Sequence, residues 1–333
     1  MTSAVTVALL GGLIVLALEK VDLQGVGHAL SHVSVGWVVL ACVLMGAAFV
    51  ARGESWFVVI RAALPQERVG RVPVIRALFV GMAGSTVAPG RLGEAARVLV
   101  IARHTAERAG TIAALTGTVL VQTLLNLVAL ATLAAVTLGA GAIPGARSGG
   151  ILAGIAVPIL ALLLAIAVSQ LASRAARSTR PTPRFLVWIA RQIAQGRQAL
   201  RVFRDPGQAV HASAAQFAGW ALQWSCCAAV LLAFDVRHHA AVAAAAVLLA
   251  VNLTAILPLT PSNVGVFQAA CIAVLAVFGV PSGRALAYGL VLQAIEITMA
   301  LSLGLPSLLL EGISVGHLRR LGRPVERPPE GSP

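Results

Sequence analysis

The stretch Gly84–Arg103, "GSTVAPGRLGEAARVLVIAR", decides how the chain is read. It follows one apolar run, precedes another, and carries Arg91, Glu94, Arg97 and Arg103 beside the break Pro89-Gly90. The run at 73–89 is short, and the segment 91–109 holds four arginines, so that segment cannot face lipid. The whole of 73–109 therefore reads as a hairpin that enters a membrane and returns to the same side. Irregular backbone at membrane depth is tolerated where protein or water covers it.

The rest of the chain supports a membrane setting. Of 333 residues, 58% are hydrophobic and only 11% charged, against about 25% charged in soluble domains. Mean hydropathy is +0.90. Apolar runs fall at 4–18, 35–51, 73–89, 110–138, 151–171, 212–234, 240–258, 264–280 and 285–310. Each is a helix candidate, because a lipid-exposed backbone must satisfy its own hydrogen bonds. The expected fold is an all-α integral membrane protein, a polytopic bundle of about eight transmembrane helices plus one or two re-entrant hairpins. The first run lacks a basic flank and reads as a retained helix rather than a cleaved signal. Residues 1–311 form the membrane domain, with 172–210 as a basic cytoplasmic connector. Its segment 184–204 is amphipathic and suited to an anionic leaflet. Residues 312–333, rich in Arg, Pro and Gly, read as a disordered cytoplasmic tail.

The net charge of +13 would suit nucleic acid, but topology explains it better. With the N-terminus inside, 21 of the 25 basic residues fall in inner segments and only Lys20, Arg147, Arg237 and Arg284 in outer ones. That is the positive-inside pattern. It places both termini in the cytoplasm of a bacterial cell and excludes a nucleic-acid partner. The cysteines Cys42, Cys226, Cys227 and Cys271 lie inside apolar runs without CxxC spacing and read as structural thiols. His28 and His32, with His238-His239, make a poor metal set. No nucleotide loop, nucleophile elbow or HExxH occurs. No metal, cofactor or enzymatic activity is expected.

A second broken stretch, "NLTAILPLTPSNVGVFQAA", starts at Asn252. Pro258, Pro261 and Gly265 interrupt it, and Gly265 follows Pro261 by four residues as Gly93 follows Pro89. Interrupted apolar segments in matching places of two halves point to a transporter site. The flanking spans agree in order, which suggests an inverted repeat. Whether 240–280 is a hairpin or two crossings stays open at this level.

With both motifs in view, the chain resembles the transmembrane region of lysylphosphatidylglycerol synthase, the flippase-like membrane domain, over about residues 5–312. The resemblance rests on "PGRLGEAAR" and "PLTPSNVGVFQ". It departs from the family pattern at Ser262, Asn263 and Gln268, where the family has glycines and then an acid. It implies the lipid-translocating region without the soluble synthase domain, which the 22 residues after Glu311 cannot hold.

Charge at depth then acquires a purpose. A charged side chain at a bilayer centre costs roughly 2.5–3.5 kcal/mol on insertion scales, so such residues pair and face a bundle interior. Arg91, Glu94 and Arg97 are spaced i, i+3 and i+6, so Glu94 is expected to bridge both arginines. One arginine is left in surplus at a helix N-terminus, where a phosphate is well received. Arg52 and Glu54 extend that polar lining, with Arg61 and Arg76 either joining it or snorkelling. Glu296, the only acid of its span, is the second functional carboxylate. The intramembrane amides Gln122, Asn126, Gln223, Asn252 and Gln293 read as helix–helix glue. The function expected is translocation of an anionic or polar-headed lipid, an anionic phospholipid or polyprenyl phosphate, across the cytoplasmic membrane. The alternatives are a membrane-embedded lipid-modifying enzyme and a non-catalytic partner of a separately encoded envelope enzyme. A homo-oligomer is compatible with any of them.

Overall fold

A computed structural model describes residues 23–87, 92–106, 111–139, 200–254 and 263–312. All regular structure among the described residues is helical. The elements are α1 (Leu23–Ser31), α2 (Val35–Ala63), α3 (Arg71–Val87), α4 (Leu92–Ala102), α5 (Thr111–Gly139), a 3-10 turn (Leu200–Arg204), α6 (Pro206–Ala233), α7 (Ala240–Thr254), α8 (Val266–Val277) and α9 (Ser282–Leu310). Four of them, α2, α5, α6 and α9, are long and apolar enough to cross a membrane. The 15-residue α7 and 12-residue α8 reach only about 22 and 18 Å at 1.5 Å per residue, short of a hydrocarbon core of about 30 Å. The runs 4–18 and 151–171, the connector up to 199, the tail from 313, and Pro89, Gly90, Arg91, Pro258 and Pro261 lie outside the described residues.

Two expectations need correction. The span expected at 35–51 does not stop there: α2 continues unbroken to Ala63. Arg52 and Glu54 therefore sit inside a long helix rather than at its end. They do not end it because neighbouring helices supply partners for both charges, as described below. The outer loop expected after the first run also contains helix α1, which packs on α9. Of the amphipathic connector, only its last residues are described. They form the 3-10 turn, with Val202 fully buried against α2 and α6.

Specific contacts fix which helix ends lie together. Ser34 N donates to Ala233 O (3.0 Å), and Ser55 Oγ donates to Ala212 O (2.8 Å), so α2 and α6 run antiparallel along their length. His104, just past α4, and Arg76, in α3, both reach Glu311 at the end of α9. Ala106 N donates to Glu67 Oε2 (3.1 Å), which returns the chain to the loop from which α3 started. The α3–α4 pair thus begins and ends at one end of the bundle. The α7–α8 pair begins and ends at the other: α7 starts six residues after the close of α6, and α8 leads directly into the start of α9. There Asp235 lies close enough to Arg284 to interact with it, and the hydrogen bond from Arg237 holds the Asp235 carboxyl below the ordinary range.

The helix pairings repeat. Exchanging α2 with α6, α3–α4 with α7–α8, and α5 with α9 maps the packed pairs onto each other. Thus α3 on α4 matches α7 on α8, α4 on α5 matches α8 on α9, and α3 on α9 matches α7 on α5. Two apolar cores result. One gathers Trp56–Ile60, Val100, Ile101 and Leu115. The other gathers Met45, Phe49, Leu231, Leu248, Leu275 and Tyr288. A polar layer separates them.

Candidate functional site

That polar layer surrounds a cavity of about 380 Å³ lined from α2, α3, α4, α5, α6, α7, α8 and α9, together with Asn263. It brings together Arg52, Glu94, Arg97 and Glu296, with Gly93 in its wall. The same lining holds Gln122, Asn126, Gln223, Asn252 and Gln293. Four residues singled out by charge, from three separate stretches of the chain, therefore share one space.

Each arginine is held by an amide and an aromatic face. Arg97 Nη1 donates to Gln122 Oε1 (2.7 Å), and its guanidinium lies 4.8 Å from the centroid of the Trp56 ring. Trp56 is fixed in turn by Nε1 donating to Thr118 Oγ1 (2.9 Å). Arg52 Nη2 donates to Gln223 Oε1, and the guanidinium lies 5.5 Å from the Trp220 ring centroid. Trp220 Nε1 donates to Asn126 Oδ1 (3.1 Å), which also accepts from Gln216 Nε2 (2.5 Å). Gln122 joins the two systems, because its Nε2 donates to the carbonyl oxygen of Arg52 (3.2 Å). The cation–π contacts hold the guanidinium planes and leave donors over. Among the described residues, the Nε atoms of both Arg52 and Arg97 are buried without a hydrogen-bond partner.

The carboxylates behave differently from the expectation. Among the described residues, Glu94 and Arg97 make no ion pair within 4.0 Å, although they attract each other. Arg97 has turned to Gln122 and Trp56 instead, so Glu94 does not bridge it. Glu296 likewise makes no hydrogen bond or ion pair among the described residues and faces Arg52 across the cavity at longer range. Glu54 lies away from the cavity. It pairs with His211 Nε2 (3.3 Å) and Arg71 Nη2 (3.4 Å) at the α3–α4 end of the bundle. Arg61 lies over Phe57 of its own helix, and Arg76 pairs with Glu311, so neither joins the lining. Gly265 is not in the wall, but Asn263 and Phe267 beside it are. Asn263 Oδ1 is buried without a partner.

Sequence reasoning treated Gln122 and Gln223 as glue and passed over Trp56 and Trp220. A signal was present. Counting from Val35 and from Pro206, Arg52 and Gln223 are each the eighteenth residue of their helices. Counting from Thr111 and Ser282, Gln122 and Gln293 are each the twelfth. Amides and charges at equal depth in paired helices meet when the halves pack.

A family model described as the lysylphosphatidylglycerol synthase TM region matches residues 3–304. The chain belongs to that family. Membership makes it a membrane protein tied to lipid or envelope biology, in keeping with its four spanning helices. The match includes both broken stretches and every residue of the cavity lining. No curated protein matches the chain.

Proposed function

We propose that this protein translocates a phospholipid with an anionic or polar headgroup across the bacterial cytoplasmic membrane, and that the polar cavity carries the headgroup. The observation that carries the proposal is the pair of buried arginines with unpartnered Nε–H donors in one cavity between the two helix breaks. A buried donor left unsatisfied costs about 1–3 kcal/mol, so both guanidiniums are poised for an acceptor-rich group. A lipid phosphate meets that need with charge-assisted bonds. Gly93 and Glu94 also set the first turn of α4 in the cavity wall, where a helix N-terminus favours an anion. Glu94 and Glu296 offset the two positive charges.

In this reading α3–α4 and α7–α8 are re-entrant hairpins, entering from opposite leaflets, and the two halves form an inverted repeat. The α3–α4 end, with Arg61, Arg68, Arg71, Arg76 and Arg103 on its helices and loops, is cytoplasmic by the positive-inside pattern. With the runs 4–18 and 151–171 added to the four long helices, the chain then makes six crossings, an even number, and both termini are cytoplasmic; if α7 and α8 each cross instead, the number is eight and the parity is unchanged. The work done is transport and not covalent chemistry.

The test is reconstitution in liposomes with fluorescent phosphatidylglycerol in one leaflet. Wild-type protein is expected to move it, and Arg97→Ala and Arg52→Ala to slow it at least about tenfold, the effect of losing about 1.4 kcal/mol of binding. Folded variants that translocate at the wild-type rate would overturn the site. Modified lipid recovered from the vesicles would replace transport with enzymology.

A further inference from the structure

Two apolar grooves flank the polar cavity, and they occupy corresponding places in the two halves. The first, about 400 Å³, lies between the C-terminal part of α5, the middle of α6 and the start of α7, with Leu133, Phe217, Trp224 and Val242 in its walls. The second, about 320 Å³, lies between the C-terminal part of α9 and the start of α3, with Ile75, Phe79, Leu303 and Pro306 in its walls. The exchange that maps α5 onto α9 and α7 onto α3 carries two walls of the first groove onto the two walls of the second; the α6 wall of the first has no α2 counterpart in the second. A chance packing defect has no reason to recur at the matching place.

The grooves open at opposite ends of the bundle. The end of α9 lies with Arg76 and His104, whereas the start of α7 follows the end of α6, which meets Ser34 at the start of α2. Both adjoin the cavity. Trp220 lines the first groove while its ring lies under Arg52 and its Nε1 binds Asn126, two residues of the cavity wall. In the second, Phe79 is one residue from the cavity-lining Leu78, and Ser302 two residues from the cavity-lining Ala300. Pro306 has no N–H for the carbonyl one turn back, which favours a bend in α9 at this groove.

We propose that these grooves are lateral portals, one for each leaflet, and that each holds the acyl chains of the lipid whose headgroup occupies the polar cavity. The inference rests on the translocation reading above for its occupant. Trp220 is then the partition between headgroup and chain on one side, and the Leu78–Phe79 turn of α3 on the other. A lipid would enter tail-outward through one groove, turn its headgroup through the arginine cavity, and leave by the other.

The experiment uses the full chain in phosphatidylglycerol vesicles containing phosphatidylglycerol with a diazirine in one acyl chain. After illumination, labelled peptides are mapped by mass spectrometry. Both grooves are expected to be labelled at least several-fold more than the exposed apolar face of α2 at Val39 and Val43, and unlabelled phosphatidylglycerol should compete that excess away. Filling the first groove with Ala241→Trp and Ala245→Trp should abolish its labelling, leave the second groove labelled, and stop translocation. Thermal unfolding of the filled variant controls for misfolding. Labelling of the grooves no greater than that of Val39 and Val43, or translocation unaffected by filling, would overturn the portals. Saturable groove labelling without any translocation by wild type would sustain the grooves as chain sites and sink the transport reading instead.

Discussion

The two pairs of short helices, α3–α4 and α7–α8, are held by different chemistry. In the first, α3 and α4 meet backbone to backbone. A β-carbon on Gly93 would run into the Gly81 carbonyl oxygen and Ser85, and one on Gly84 would sit 3.2 Å from the Gly93 α-carbon. That closeness sets Glu94 and Arg97 into the cavity. In the second, side chains cap the start of α8 and tie it to α9. Gln268 Oε1 accepts from Gly265 N (2.7 Å), and Gln268 Nε2 donates to Gln293 Oε1 (2.5 Å). Gly265 takes φ +88° and Asn263 φ +53° to make the turn. Arg97 with Gln122 and Gln268 with Gln293 are thus equivalent pairs, one charged and one neutral. An amide both accepts and donates, so α8 is anchored to α9 without burying charge. The lesson is that anchoring a short helix to its long neighbour does not require an ion, and the ions of α4 serve something else.

Gly93→Val should break the comparison most severely. The new side chain meets backbone that cannot move aside, and a loss of at least about 3 kcal/mol is expected, read as a collapse of monodisperse yield and thermal stability in detergent. Gly265→Ala, strained only by its positive φ, should lose about 1–3 kcal/mol and still fold. Arg97→Gln gives the first hairpin the chemistry of the second. It should stay folded, because an unsatisfied buried donor is removed, while phosphatidylglycerol translocation falls at least about tenfold. A variant as active as wild type would show that charge in this hairpin is dispensable. Gln268→Glu keeps the acceptor for Gly265 N and loses the donor to Gln293, so stability should drop by about 1–3 kcal/mol. An unchanged melting temperature would mean that the amide pair does not hold the second hairpin. The smallest effect is expected from Glu54→Gln. Its partners Arg71 and His211 are 60% and 50% exposed, so less than about 1 kcal/mol should be lost and translocation should persist.

Much of this was legible in residue order. Apolar runs located α3 and α5–α9 to within a few residues, because lipid leaves the backbone no alternative to helix. The two broken stretches fall between α3 and α4 and between α7 and α8, the two pairs of short helices. Charge that had no reason to face lipid picked out Arg97, Glu94, Arg52 and Glu296, which do converge. The partners were harder to foresee. Glu94 had the right spacing to pair with Arg97, but spacing on one helix does not register an amide and an indole arriving from two others. Glu54 carried the same kind of charge as Glu94, and only the crossing of α2 with α3 and α6 decides that it faces Arg71 and His211. The end of the first span was misplaced for the same reason: Arg52 looks like a stop signal until Gln223 is known to stand opposite.

The contact between Arg52 and Gln223 has one more consequence. Both occupy the eighteenth position of the two helices that exchange in the repeated pairing, and they touch each other. Two separate, identical chains meeting in the same way would set arginine against arginine, and the like charges would push the halves apart. A single polypeptide carrying both halves, unlike a pair of identical chains, can give this position two different residues. Covalent linkage thus permits one arginine here where identical chains would bring two.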